Sequence, residues 1–286
     1  MEISTVIGLV FGFAALLVAF VMEGGNPVGL IQPSAALIVF GGTIAAALTS
    51  FPLKTVLLLP KLLILSIKPP TLDAHGTIDL IVRLADKARR EGLLALEEEA
   101  RRIEDSFLQR AIMLVVDGVE SEVVRSILES EVAAMEKRHQ QGYGLFEGMG
   151  GYSPTMGIIG TVMGLVSVLS SLEEPEGLGE KIAVAFIATL YGVAFANLVW
   201  LPIGKKLQTF SRKEAHIREM MIEGVLAVQA GENPRVIREK LETFLAPAER
   251  GGVLGGPGGP RQALQRRDRP GTAEHLRAVP GPVEWR

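Results

Sequence analysis

Apolar and polar positions along this chain fall into long separate blocks rather than one repeating pattern. Residues 3–22 (ISTVIGLVFGFAALLVAFVM) carry no charge, and the run is as long as a helix rising 1.5 Å per residue needs to cross about 30 Å of hydrocarbon. Residues 34–51, 154–172 and 182–203 repeat the pattern, so the sequence predicts four transmembrane spans. A cleaved signal peptide is the alternative for the first block, but it has no basic leading region and no small-residue cleavage site before Glu23. A fifth apolar stretch, KTVLLLPKLLILSIK, contains Pro60 and places Lys54, Lys61 and Lys68 on one helical face. Burying Lys61 at mid-membrane costs about 3 kcal/mol, so this stretch is expected to lie in the interface, lysines toward headgroups.

The polar blocks alternate with helical spacing. In TIDLIVRLADKARREG, Ile78, Ile81, Val82 and Ala85 form a stripe flanked by Arg83, Asp86, Lys87, Arg89 and Arg90, and Gly92 is placed to end the helix. LLALEEEARRIEDSFLQRAIMLVVDG reads as a second helix. ESEVVRSILESEVAAMEKRHQQ reads as a third, acidic at its start and closing on Lys137 and Arg138. After the fourth span, residues 205–245 are again amphipathic, and Pro234 is expected to open a short last helix. The tail is rich in Gly, Pro and Arg, too poor in bulky apolar groups to offset chain entropy, and is expected to be disordered.

The predicted class is therefore all-α and polytopic. Its expected parts are a membrane hairpin (1–52), an interfacial helix with a cytoplasmic helical domain (53–148), a second hairpin (149–204), C-terminal helices (205–245) and a tail (246–286). Orientation follows from the short loops. EGGNPVGLIQP has no Lys or Arg and EEPEGLGEK only Lys181, whereas Lys54, Lys61, Lys68, Lys205, Lys206, Arg212 and Lys213 follow spans two and four. The positive-inside rule puts those basic segments, both termini and both polar blocks in the cytoplasm.

Composition narrows the chemistry. The absence of cysteine removes disulfides and thiolate sites, and four histidines (His75, His139, His216, His275) without ligand spacing argue against a metal centre. No hydrolytic or redox constellation stands out, so neither an enzyme nor a resident cofactor is expected. A net charge of −3 gives no reason to expect a nucleic-acid partner.

The third span carries a ladder of small residues. Ser153, Gly157, Gly160, Gly164, Ser167 and Ser171 recur at steps of four and three, making one continuous face. Lipid supplies no hydrophobic drive between helices, so close approach of small residues and interhelical hydrogen bonds must do the work. Span one has Gly8, Gly12, Ala15 and Ala19; span four has Ala185, Ala188, Gly192 and Ala196. Polar atoms join them: Thr155 and Thr161 in span three, and Thr189, Tyr191 and Asn197 in span four. These either bond to their own helix backbone or face a lumen where they replace part of an ion's hydration shell. Spans three and four hold no Asp, Glu, Lys, Arg or His, and intramembrane cation pathways usually need such a group, so either this chain conducts nothing or a partner helix brings the carboxylate. Pro154 is expected in the first turn of span three, where it is tolerated, and Pro202 near the cytoplasmic end of span four, where it permits a bend.

With four spans in this order, a long segment between spans two and three, and the motifs GMGGYSPTMGIIGTVMGLVSVLSSLEEPEGLG and IAVAFIATLYGVAFANLVWLPIGKKL, residues 1 to about 245 closely resemble the flagellar motor stator A-subunit family (MotA, PomA, MotP). The resemblance implies a homopentameric ring around two B subunits (MotB or PomB), whose membrane aspartates receive inward-moving H+ or Na+. It implies coupling roles for Pro154 and Pro202, and positions near the ion path for Thr161 and Thr189. Ala188 stands where sodium-driven members carry threonine, which points to protons, whereas TLYG and ANLVWLPI are nearer the sodium branch; both ions stay open. ARREGLLALEEE resembles the segment that meets the rotor protein FliG, giving Arg89 with Glu97, or Arg90 with Glu98 after a one-residue slip. Taken alone, these charges read as a solvated helix face. The related ExbB and TolQ transducers are the alternative, but they have three spans and a different loop order, against the hairpin at residues 3–51.

Overall fold

The computed structural model describes residues 3–69, 72–170 and 177–250. The predicted end of span three at residues 171–172, including Ser171, and most of the predicted tail, from residue 251, lie outside the described residues. Among the described residues all regular structure is helical, and four helices are long and apolar enough to cross a membrane.

Helix α1 is Ile3–Met22. After a short turn at Pro27–Leu30, α2 runs from Pro33–Ala36 through a wider π turn at Leu37–Gly41 into Gly42–Ser50. The buried Thr43 hydroxyl donates to the Val39 carbonyl at 2.6 Å, adding a second donor inside the ladder next to this widened turn. Two short helices follow, α3 (Leu53–Leu57) and α4 (Leu59–Ile67), separated at Leu58 with Pro60 in the first turn of α4. Leu62 and Leu65 are buried while Lys54, Lys61 and Lys68 are exposed, as an amphipathic surface helix requires.

Helix α5 (Ala74–Glu91) starts where the Asp73 carboxylate accepts from the Gly76 N–H at 2.8 Å. It stops at Gly92, whose φ of +86° suits a residue without Cβ. Helices α6 (Leu96–Ala100) and α7 (Ser106–Val116) come next, α7 capped by Asp105 on the Leu108 N–H. Helix α8 spans Ser121–Leu169. Helix α9 comprises Leu178–Phe195, a π turn at Ala196–Trp200, and Leu201–Gln229. Helix α10, Pro234–Glu242, opens with Asn233 as cap and proline at its first position.

Two compact units divide these helices. The first holds residues up to Pro69 with Ala133–Lys213; the second holds Pro70–Val132 and the segment from Glu214. In the first, Ala35, Val39, Ile187 and Ala188 form one buried cluster, and Ala47, Leu145 and Met149 another, edged by Phe51 and Trp200. In the second, Ile78, Ile81, Leu84 and Ala85 of α5 are buried, as are Phe107, Ile112, Leu128, Val225 and Leu241.

Several sequence expectations change. Leu84, not Val82, completes the buried stripe of α5, because Val82 is only half-buried. The predicted helix over residues 93–118 is broken, since Asp105 caps a new start. The helix expected to close at Lys137 and Arg138 continues to Leu169, so Pro154 lies in a helix interior rather than a first turn. The helix passes through Gly148, Gly150 and Gly151 before Pro154, and two of these gaps are filled: a Cβ on Gly148 would meet the Phe51 ring at 2.9 Å, and one on Gly150 would run into the Leu201 side chain. Tight packing there outweighs glycine's low helix propensity. Span four likewise continues past Pro202 without interruption.

Candidate functional site

Spans three and four meet along the small-residue ladder. A Cβ built on Gly157 would lie 2.8 Å from the Ala188 carbonyl oxygen, and one on Gly192 would lie 2.5 Å from that of Ser153. Gly160 faces the Ala188 methyl at 2.7 Å and Gly164 the Ala185 methyl at 2.5 Å. All four glycines therefore serve close helix packing, two of them against backbone that cannot step aside. Ala188 is 2% exposed and fills the space that Gly160 leaves, within the cluster of Ala35, Val39 and Ile187.

The hydroxyls of Thr161 and Thr189 are brought to 2.5 Å, half-buried, from opposite sides of this seam. Thr161 Oγ1 is 3.0 Å from the Ala185 carbonyl and 3.1 Å from that of Gly157, whereas Thr189 Oγ1 is 3.4 Å from Gly157. The shorter distances assign the Thr161 proton to a carbonyl and the Thr189 proton to the Thr161 oxygen. In that arrangement the Thr189 oxygen keeps both lone pairs for an acceptor role. An oxygen with both lone pairs available can accept from a cation or from a protonated group. Thr155 donates to its own helix at Tyr152 O (2.7 Å) and Asn197 to Val193 O (2.9 Å), so these two serve the backbone. Tyr191 instead donates to the Leu30 carbonyl and accepts from the Gln32 N–H at 3.2 Å, tying span four to the entry of span two.

Both prolines lie within long helices. Pro154 removes one backbone donor directly beside the seam, and its Cα would be 3.1 Å from a Cβ on Gly192. Upstream of Pro202, the Leu201 N–H bonds to the Ala196 carbonyl, five residues back, in the π turn. The wider turn relieves the crowding between a proline ring and the preceding turn.

In the second unit, Arg89 and Arg90 close α5, while Glu97 and Glu98 lie in α6. Arg90 pairs with Asp86 at 2.6 Å, Glu97 with Arg101 at 2.9 Å and Glu98 with Arg102 at 2.7 Å, all on the surface. Lys87 holds Glu99 at 3.0 Å; this hydrogen bond, then its charge, lowers the Glu99 pKa.

The ladder placed Ser153 on the packing face but not its full burial, with no hydrogen-bond partner for its hydroxyl among the described residues; sequence reasoning missed the buried pair of His139 Nδ1 and Ser211 Oγ at 3.1 Å. His139 and Ser211 are 72 positions apart, and no pattern along the chain joins them.

A four-span helical unit with a hydroxyl-bearing glycine seam and no Asp, Glu, Lys, Arg or His in its spans is a polytopic membrane subunit built to pack closely against other helices. The family described as the MotA/TolQ/ExbB proton channel family matches residues 99–220, and motility protein A, N-terminal, matches residues 6–92. Motility protein A of Bacillus subtilis (strain 168) is 39% identical over 251 residues, covering 87% of this chain and 93% of that protein. Chemotaxis protein PomA of Vibrio alginolyticus is 38% identical over 250 residues, 87% of this chain and 98% of its own. The flagellar MotAB stator complex from Bacillus subtilis is similar in structure, with TM-score 0.80, 38% identity, and coverage of 86% of this chain and 97% of that one. The chain belongs to the motility protein A family, within the MotA/TolQ/ExbB group. The match over residues 6–92 includes the first hairpin, the feature that set it apart from three-span transducers.

Proposed function

We propose that this protein is the A-type subunit of a flagellar motor stator, forming with a B subunit a cation channel whose flux turns the rotor. The observation that carries this reading is the Thr161–Thr189 hydroxyl pair in a seam that has acceptors for a cation but no carboxylate of its own. A B-subunit helix supplying a membrane aspartate completes the pathway. The transported H+ or Na+ is cargo, and no resident cofactor is invoked. One charge crossing 100 mV releases about 2.3 kcal/mol, enough for a small rotation step against modest barriers.

The finer parts of the reading have separate support. A homopentameric ring around two B subunits suits a subunit whose α1 has no buried residue and whose spans three and four carry the seam. Cytoplasmic termini are supported by the basic segments after spans two and four, and the Lys206 ammonium donates to the Thr5 hydroxyl, so span one begins at the level where span four ends. The exposed charges Arg89, Arg90, Glu97 and Glu98 form the surface offered to FliG. Lipid surrounds the exposed apolar faces.

Co-purification with the B subunit and native mass measurement test the assembly. A stable complex without an aspartate-bearing partner overturns it. Swimming speed against external sodium at fixed pH assigns the ion: a sodium-independent speed means protons.

A further inference from the structure

We propose that a polar cleft between α8 and α9, outside the membrane where α8 approaches span three, binds a small soluble phosphate monoester with vicinal hydroxyls, its phosphate between Lys137 and Arg212. The cleft has a volume of about 480 Å³, within the roughly 300–1,000 Å³ usual for small-molecule sites. Lys137 stands on the α8 wall and Arg212 on the α9 wall, and both walls belong to the first unit. The two helices run antiparallel here: a Cβ on Gly204 would lie 3.3 Å from the Tyr143 carbonyl, and Ser211 meets His139.

The lining is rich in donors. Lys137 and Arg212 are exposed, and neither makes an ion pair or hydrogen bond among the described residues, with Glu136 or with any other group. The Tyr143 hydroxyl and the Gln140 amide are likewise unengaged, and Gln208 has its oxygen occupied by Lys205 at 2.9 Å, so its amide nitrogen is the end left to donate. The floor is fixed, since Ser211 is 6% exposed and its hydroxyl lies 3.1 Å from Nδ1 of the buried His139. A phosphate, with three acceptor oxygens, suits a point-charge ammonium on one wall and a planar guanidinium fork on the other. Glu136 selects the rest of the ligand. Inorganic phosphate would set an anion beside that carboxylate and give it nothing to accept, whereas sugar hydroxyls donate to a carboxylate.

Depth selects a soluble ester over a lipid headgroup. Arg212 lies past Ile203, the last residue of predicted span four, by about 13 Å of helix at 1.5 Å per residue. The headgroup layer on one side of a bilayer is about 5–8 Å thick, so the phosphate comes from solution. From the cleft, α8 and α9 continue into spans three and four, and a ligand held by both Lys137 and Arg212 ties the two stems together. The site rests on the membrane reading of the four spans, and not on the stator assignment.

The test uses the full chain purified in its native assembly and titrated calorimetrically with adenosine 5′-monophosphate, glucose 6-phosphate, inorganic phosphate and adenosine. Binding of either ester about tenfold or more tighter than inorganic phosphate and adenosine supports the site, and the tighter ester names the source, nucleotide or sugar. Lys137→Gln and Arg212→Gln are each expected to weaken that ester about tenfold, and Glu136→Gln to bring it toward the affinity of inorganic phosphate. These exposed side chains make no ion pair among the described residues, so the variants keep the fold. Arg138→Gln removes an equal charge from the next position of α8, which does not line the cleft, and should leave binding unchanged. No binding of either ester, equal binding of inorganic phosphate, or an equal loss in Arg138→Gln overturns the site. Displacement of the ester by phosphatidylglycerol vesicles, but not by phosphatidylcholine vesicles, assigns the cleft to a lipid headgroup and overturns it too. Loss of the B subunit from the assembly would count against the stator reading alone.

Discussion

The hydroxyl oxygens of Thr161 and Thr189 lie 2.5 Å apart across the seam between spans three and four, and no charged side chain belongs to either span. The Thr189 hydroxyl donates to the Thr161 oxygen, so substitution of one alters the orientation of the other. Thr189→Val removes the oxygen left with free lone pairs while conserving shape. If that oxygen contributes about 1 kcal/mol to a passing cation, ion flux falls by roughly fivefold to tenfold. Thr189→Ser should retain most of it. Flux in proteoliposomes containing the complex, compared at equal protein content, is the measurement, and wild-type flux in the valine variant refutes the role.

The glycines of the seam are not equivalent to glycines elsewhere in the spans. A Cβ at Gly192 or Gly157 runs into the backbone of the facing helix, at 2.5 and 2.8 Å, so the helices must separate. Gly192→Ala is expected to cost about 1–3 kcal/mol, as overpacking does. Gly151→Ala, whose Cβ meets nothing within 4 Å, should be neutral or slightly stabilising through helix propensity. Thermal unfolding of both variants in the same detergent separates the two outcomes.

These contrasts also show what the chain order revealed. The length of span one, the amphipathic face of α5 and the helix start at Pro234 follow from local sequence, and the structure has each of them. The steps between Gly157, Gly160 and Gly164 revealed one packing face, but not that Ala188 and Ala185 fill it. Helix ends were misread where packing overrides propensity: the helix expected to close at Lys137 and Arg138 runs on through Gly148 and Gly150, against which Phe51 and Leu201 pack. Which hydroxyls serve their own helix, as Thr155 does, and which bridge two, as Thr161 does, depends on the register between spans, which no single span encodes.

Among the charges assigned to rotor contact, Arg90, Glu97 and Glu98 each have a neighbour of opposite sign within 3 Å, whereas Arg89 is exposed and makes no ion pair among the described residues. Recruiting Arg89 to a partner breaks nothing inside the subunit. Arg89→Glu should therefore abolish or strongly reduce motility while changing stability by no more than about 0.5 kcal/mol. Glu97→Lys loses its Arg101 pair, an exposed contact worth about 0.2–1 kcal/mol. Motility in soft agar, with membrane levels of each variant measured alongside, gives the answer. Full motility of Arg89→Glu means this residue does not meet the rotor.

The second unit contains the ion pairs that govern its response to acid. Glu223 bonds to Arg125 at 2.7 Å and lies 3.1 Å from Lys240. The hydrogen bond from Arg125, then that from Lys240, outweigh partial burial and hold the Glu223 carboxyl below its ordinary pKa. The folded state thus binds that proton less readily than the unfolded chain does. The pair's contribution is complete above the unfolded carboxylate value of about 4.3 and is lost as pH falls below it through the depressed folded value. Arg125 is raised above an already high value, chiefly by the same hydrogen bond, and does not titrate in this window. Glu223→Gln should lower stability at neutral pH and flatten the drop between pH about 5 and 3, because one proton-linked group is gone. Unfolding midpoints of the two proteins across that range test the sign: a steeper acid limb in Glu223→Gln contradicts the assignment.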